Sequence, residues 1–197
     1  MYSESITKLI SAFKKLPTVG QRAAERYVFY LLKSGKKEVA TLILALSNLI
    51  KNIKSCSLCW DFDDCDPCKI CSDLRRDKSV LCVVAEPQDL QVIESTGKYN
   101  GLYFVMRGLI DADYQETDKV KIKELVSRIE KDKKIKEVIL ALNPDMQGEI
   151  TMMYARKIIS SKNKNIKITR LARGLPINSD LQYADETTLA ESLKNRS

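Results

Sequence analysis

Two Cys-x2-Cys pairs, Cys56/Cys59 and Cys68/Cys71, stand eight residues apart and constrain this chain more than any other feature. Residues 56–71 hold five of its six cysteines and few apolar side chains, so hydrophobic burial alone cannot order the stretch. Each Cys-x2-Cys turn can aim two thiolates at one ion, and two such turns complete a tetrahedron. The chain contains no histidine. That absence excludes Cys/His zinc fingers, the His-Glu-x-x-His site, and Ser-His-Asp or Cys-His catalysis, each of which needs an imidazole. A structural zinc on Cys56, Cys59, Cys68 and Cys71 is therefore expected. Cys65-x2-Cys68-x2-Cys71 also resembles part of an iron–sulfur run, which stands as the alternative. Disulfides are not expected: Met1 leads into mixed polar sequence without a signal peptide's apolar core, and reducing cytoplasm keeps thiols apart. Cys82, inside an apolar run, reads as a packing residue.

Charge is distributed unevenly. Residues 1–55 carry ten Lys/Arg against three Asp/Glu, a surplus of seven that equals the net charge of the whole chain, +7. The balances of residues 56–80, 81–150 and 151–197 are −2, −3 and +5. A compact basic segment attracts polyanions by counterion release, although solvated helices are also basic for solubility alone. In that segment Ile6, Leu9, Ile10 and Phe13 recur at helical spacing after Ser3 and Ser5, which can cap a first turn. Leu16-Pro17-Thr18-Val19-Gly20 interrupts the period. A second helix is predicted over residues 21–33, closed by Ser34-Gly35, and a third over 36–54 with Val39, Ile43, Leu46 and Ile50 buried. The interruption is a tight turn before a helix N-terminus, where free N–H groups and the dipole favour phosphate, and Arg22 and Arg26 share the following face. Lys14, Lys15, Gly20, Arg22 and Arg26 are the candidate DNA contacts. An ordinary helical turn with a solvated basic face is the alternative.

Beyond Ser79 the texture changes. Apolar runs at residues 80–84, 102–106, 138–142 and 166–169 alternate with helical patterns, which predicts a mostly parallel sheet with helices on its faces. A short helix is expected near residues 186–193. No run approaches the ~20 apolar residues of a membrane span, so a cytoplasmic protein without membrane contact is expected. The fold class is thus α+β, in four parts: a helical unit (1–55), a four-cysteine finger (56–71), an α/β domain (79–173) and a C-terminal tail (174–197).

The segment from Leu16-Pro17 to Arg26 resembles a helix-hairpin-helix motif, with Thr18 where that motif usually carries its first Gly. Together with Cys68-Lys69-Ile70-Cys71-Ser72-Asp73, Arg75-Arg76, Leu81-Cys82-Val83-Val84, Pro87-Gln88-Asp89, Glu94-Ser95-Thr96-Gly97, Asn143-Pro144 to Glu149 and Arg170-Leu171-Ala172-Arg173-Gly174-Leu175-Pro176, the chain resembles the bacterial RecR family of recombination-repair proteins over nearly its whole length. The resemblance implies a helix-hairpin-helix unit, a zinc element and a Toprim-like domain. It also implies a ring-like homo-oligomer, a dimer or tetramer, that binds gapped DNA without sequence preference and works with RecO and RecF to load recombinase.

Several positions depart from the pattern. A Toprim metal site needs a Glu at the end of one strand and acids at the end of another, converging on Mg²⁺. Here Ala85 follows Val83-Val84, with Glu86 displaced by one residue, which at a strand end redirects a side chain. The second acidic group reads Asn143-Pro144-Asp145, with Gln147 before Gly148-Glu149. Glu86, Asp145 and Glu149 remain as a residual acidic site at which Mg²⁺ is expected to bind weakly or not at all. The loop after Gly108, usually rich in Gly and Pro, reads Leu109 to Tyr114, and Gln182 replaces a usual acid. A nucleotide-triphosphate site is not expected, because no Gly-x4-Gly-Lys-Ser/Thr occurs. The expected function is a non-enzymatic DNA-binding mediator. A Toprim nuclease or topoisomerase-like enzyme and a zinc-stabilised protein-interaction adaptor are the alternatives.

Overall fold

The computed structural model of the chain describes residues 2–110 and 120–196. It divides into two compact units, residues 1–53 and 54–197. The first holds α1 (Glu4–Phe13), α2 (Gln21–Ser34) and α3 (Lys36–Asn52). Gly35, at φ 89°, ends α2 and starts α3 in a backbone conformation that favours glycine. Ile10, Ala24 and Val28 form a small core, with Ile6, Phe13 and Val19 packed around it. The burial expected along α3 is not found. Ile43, Leu46 and Ile50 are 59%, 52% and 81% exposed, Val39 is half-buried, and α3 buries no residue. The physical reason is that the α1/α2 hairpin presents one narrow apolar seam, and that seam is filled by the two helices themselves.

The second unit begins with β1 (Lys54–Ser55), where a continuation of α3 to residue 54 was expected, and β1 pairs antiparallel with β2 (Phe62–Asp63). A one-turn helix α4 (Lys69–Ser72) follows. The sheet comprises β3 (Asp77–Val84), β4 (Gly101–Val105), β5 (Glu137–Ala141) and β6 (Lys167–Arg170), all parallel, in the order β4-β3-β5-β6. The four apolar runs are thus its strands. Helices α5 (Pro87–Ser95), α6 (Ile122–Lys131) and α7 (Met146–Lys162) connect them. Strands covered on both faces must be apolar throughout, and Leu81, Cys82, Val83, Val84 and the whole of β4 are buried. A larger core on one face centres on Leu81, Phe104, Leu125 and Ile159; a smaller one on the other gathers Cys82, Leu90 and Tyr103.

After β6 the tail ends in α8 (Glu186–Lys194), started by Asp185, whose side chain accepts from the Thr188 N–H (2.9 Å). Arg170 pairs with Glu191 (3.1 Å) and the Asn195 amide donates to the Arg173 carbonyl (3.1 Å), tying the tail to the end of β6. Of the loop after Gly108, residues 111–114 lie outside the described residues. Among the described residues no helix is long and apolar enough to cross a membrane.

Candidate metal centre and nucleic-acid interface

The local fold at the cysteines follows from two turns. The Trp60 N–H donates to the Cys56 carbonyl (2.9 Å), and the Cys56 N–H to the Asp61 carbonyl (2.8 Å), closing the first knuckle. The second is the start of α4, where the Cys71 N–H points at the Cys68 sulfur (3.5 Å). Cys56, Cys59 and Cys68 are buried and Cys71 half-buried, and one Sγ from each of the four lies within 4.8 Å of all the others. Cys59 and Cys68 Sγ are 3.5 Å apart, and the Cys68 N–H donates to Cys56 Sγ (3.3 Å). Four thiolates about 2.3 Å from a zinc ion would stand about 3.8 Å apart, so the observed spacing suits a four-sulfur site with little adjustment. The donors also suit it chemically. Contact with Cys68 raises the Cys59 thiol, while the same contact lowers Cys68. Cys65 stands outside the cluster, exposed, with its sulfur 3.8 Å from Asp63 Oδ1. Cys82 is buried in β3, and burial pushes its thiol up to about 12.

Side chains that spacing did not single out fasten this knuckle to the sheet. Arg107, just past β4, donates Nε–H to the Trp60 carbonyl (2.8 Å) and Nη2–H to Ser55 Oγ (2.8 Å), and lies 4.0 Å from the Phe62 ring centroid. Arg128 of α6 donates to the Leu58 carbonyl (2.6 Å) and the Tyr103 carbonyl (2.9 Å). The Val105 N–H donates to the Cys59 carbonyl (2.8 Å). The partners are 47 and 70 residues apart in the Arg107–Trp60 and Arg128–Leu58 contacts, so no local pattern announces them.

In the first unit, Lys14, Lys15, Gly20, Arg22 and Arg26 are all exposed around the turn between α1 and α2. Gly20 is the N-cap of α2; it supplies no side-chain cap, and a Cβ there would meet nothing within 4 Å. The first turn of α2 carries no acid. Thr18 takes φ 64°, the left-handed conformation that a glycine adopts without strain.

The three residual acids are each engaged. Glu86 is the N-cap of α5 in a reciprocal capping box, its own N–H donating to Asp89 Oδ2 (3.0 Å). Asp145 Oδ1 accepts from the Gly148 N–H (2.7 Å) and caps α7. Gly148 packs against the Asn143 carbonyl so closely that any Cβ would collide with it. Glu149 pairs with Arg173 and stands 3.9 Å from Arg170 Nη1. Ala85 is buried at the end of β3. Beside these acids a crevice of about 320 Å³ runs along the C-terminal ends of β5 and β6, bordered by Asn143, Arg170 and Arg173. Among the described residues, the four cysteines are the one group of three or more potential ligands close enough to share an ion.

Three family models match separate stretches of the chain. A Toprim domain family matches residues 79–172, one described as RecR, helix-hairpin-helix matches residues 6–50, and one described as RecR, C-terminal matches residues 174–197. These define a protein that joins a helix-hairpin-helix unit to a Toprim domain. The chain is 43% identical to the recombination protein RecR of Bifidobacterium adolescentis over 197 residues, 99% of this chain and 96% of that one. It is 42% identical to the recombination protein RecR of Clostridium perfringens over 196 residues, 99% of this chain and 97% of that one. The chain belongs to the RecR family of recombination proteins.

Proposed function

We propose that this chain is a non-enzymatic, DNA-binding mediator of recombinational repair in the cytoplasm, acting with RecO and RecF at gapped DNA to load recombinase. The observation that carries the reading is the exposed cationic hairpin: Lys14, Lys15, Arg22 and Arg26 surround a helix N-terminus whose cap is a bare glycine. Backbone N–H groups and cations directed at phosphate hold a duplex without reading its bases. Membership of a family of recombination proteins supports the biological setting. The uncovered apolar face of α3 supports self-association, because a face of this kind marks an interaction surface, and the resemblance implies that the assembly is a ring-like homo-oligomer, a dimer or tetramer. The engagement of Glu86, Asp145 and Glu149 in caps and ion pairs supports a Toprim domain that holds no catalytic Mg²⁺. Cys56, Cys59, Cys68 and Cys71 would hold one zinc, whose part is to fold the knuckle.

The test is gapped-duplex binding by fluorescence anisotropy across a salt series. Replacing Arg22 and Arg26 by Ala should weaken affinity equally for unrelated sequences and flatten the log–log salt slope by about 1.8, about 0.9 for each phosphate lost. A folded double variant with unchanged affinity and slope would reduce the hairpin to a solvated face and remove the reading.

A further inference from the structure

Lys131, Lys133, Lys134 and Lys136 fall within six positions of one another, inside a segment that is net acidic as a whole. They run from the end of α6 to the residue before β5, and all four are exposed. The neighbouring carboxylates are taken by other cations: Glu124 by Lys121 (3.3 Å), Glu130 by Lys162 (3.6 Å) and Glu137 by Lys167 (3.4 Å). Lys131 and Lys134 face a cleft of about 780 Å³ shared with Lys78, Arg128, Leu58 and Trp60. Arg128 fixes its wall by donating to the Leu58 and Tyr103 carbonyls. Two carboxylates also border the cleft, and both are engaged: Glu124 in its ion pair, and Asp132 as acceptor for the Lys134 backbone N–H (3.2 Å). The cleft lies at the edge where the parallel strands begin, away from the acids at their C-terminal ends.

Ammonium groups on flexible stems suit phosphates strung along a chain, since they impose no fixed fork geometry. The half-buried Trp60 indole, with Lys121 Nζ 4.6 Å from its ring centroid, borders these lysines, and the part of it that lines the cleft complements a nucleobase. A duplex turns its bases inward and could offer only phosphates to the rim, whereas a single strand can place phosphates on the lysines and a base against Trp60 and Leu58. An acidic peptide would use the cations and leave the apolar wall idle. We propose that this cleft binds the backbone of single-stranded nucleic acid, with a base in contact with Trp60. The proposal rests on the DNA-binding function above, yet it uses residues of the other compact unit, so the two can fail separately.

Trp60 is the chain's one tryptophan and therefore reports on the cleft directly. Full-length protein is titrated with oligothymidine while tryptophan emission is followed at several salt concentrations. Saturable, salt-sensitive quenching is expected. It should persist in Arg22→Ala/Arg26→Ala and weaken at least about tenfold in Lys131→Glu/Lys134→Glu, with the salt slope falling by about 1.4, about 0.7 per phosphate on a single strand. Circular dichroism checks the fold, and Lys131→Gln/Lys134→Gln serves if charge reversal disturbs it. No quenching, or quenching indifferent to Lys131 and Lys134, overturns the proposal. Equal quenching by polyglutamate overturns it in favour of an acidic protein segment, and loss of quenching only in the Arg22/Arg26 variant returns all binding to the hairpin.

Discussion

Thr18 and the cysteines separate what single residues disclose from what they conceal. A β-branched residue at φ 64° bears a conformational cost of about 1 kcal/mol or more, which the turn after α1 nevertheless imposes on Thr18. The sequence marks that position as unusual, because glycine is the residue that adopts this backbone freely, but only the dihedral shows that Thr18 takes the left-handed conformation. The cysteine site is legible because its geometry is local: two short turns, each closed by its own backbone hydrogen bonds, aim the sulfurs inward. Arg107 is illegible for the opposite reason, since its partners Ser55, Trp60 and Phe62 come from a distant stretch of chain. The contrast between Cys59 and Cys65 gives the residue-scale prediction. Cys59→Ser should lower bound zinc from one per chain towards zero and lose ordered structure around Trp60, whereas Cys65→Ser should keep full occupancy, measured by elemental analysis with tryptophan emission alongside. Iron in place of zinc, or loss of metal from the Cys65 variant, would reverse the ligand assignment.

Helical periodicity located α1, α2 and α3 but misjudged what α3 does. A 3.6-residue apolar repeat says that one face seeks cover, not that the same chain supplies it. Leu42, Ile43, Leu46, Leu49 and Ile50 are all exposed here, so the apolar face of this helix finds no cover within its own unit. The same limit hid the basic cleft: averaging charge over residues 81–150 cancels the lysines before β5 against acids that the fold spends on other cations. If α3 is covered by a second copy, each large aliphatic side chain there contributes about 1.5–3 kcal/mol of burial. Ile43→Lys/Leu46→Lys should then raise the dissociation constant of the oligomer at least about a hundredfold. Light scattering should show a lower mass at equal concentration, with far-ultraviolet circular dichroism unchanged, because neither side chain belongs to the single-chain core. An unchanged mass would remove α3 from the interface.

For the molecule as a whole, the sheet was legible because β4 and the ends of β3 and β5 are buried and read as apolar runs, but the chemistry at the strand ends was not. Sequence alone left Glu86, Asp145 and Glu149 as possible ligands. The fold puts Glu86 and Asp145 to work as helix caps, and sets Glu149 against Arg170 and Arg173. An acid that already accepts a helix N–H or is offset by two guanidinium groups competes poorly with water for Mg²⁺, an ion that surrenders its hydration shell reluctantly and demands near-octahedral oxygen geometry. Ala85, buried where a first carboxylate would stand, removes the opposite side of such a site. The protein should therefore leave supercoiled, gapped and single-stranded DNA intact during prolonged incubation with Mg²⁺ or Mn²⁺. Asp145→Asn/Glu149→Gln is the matching control, since asparagine retains N-capping ability, with circular dichroism to check the fold. Cleavage or relaxation by the unaltered protein that disappears in this variant would restore catalysis to the domain. An inert pair, with the variant still binding DNA but losing RecO or RecF, would fix the acidic edge as a surface for partners.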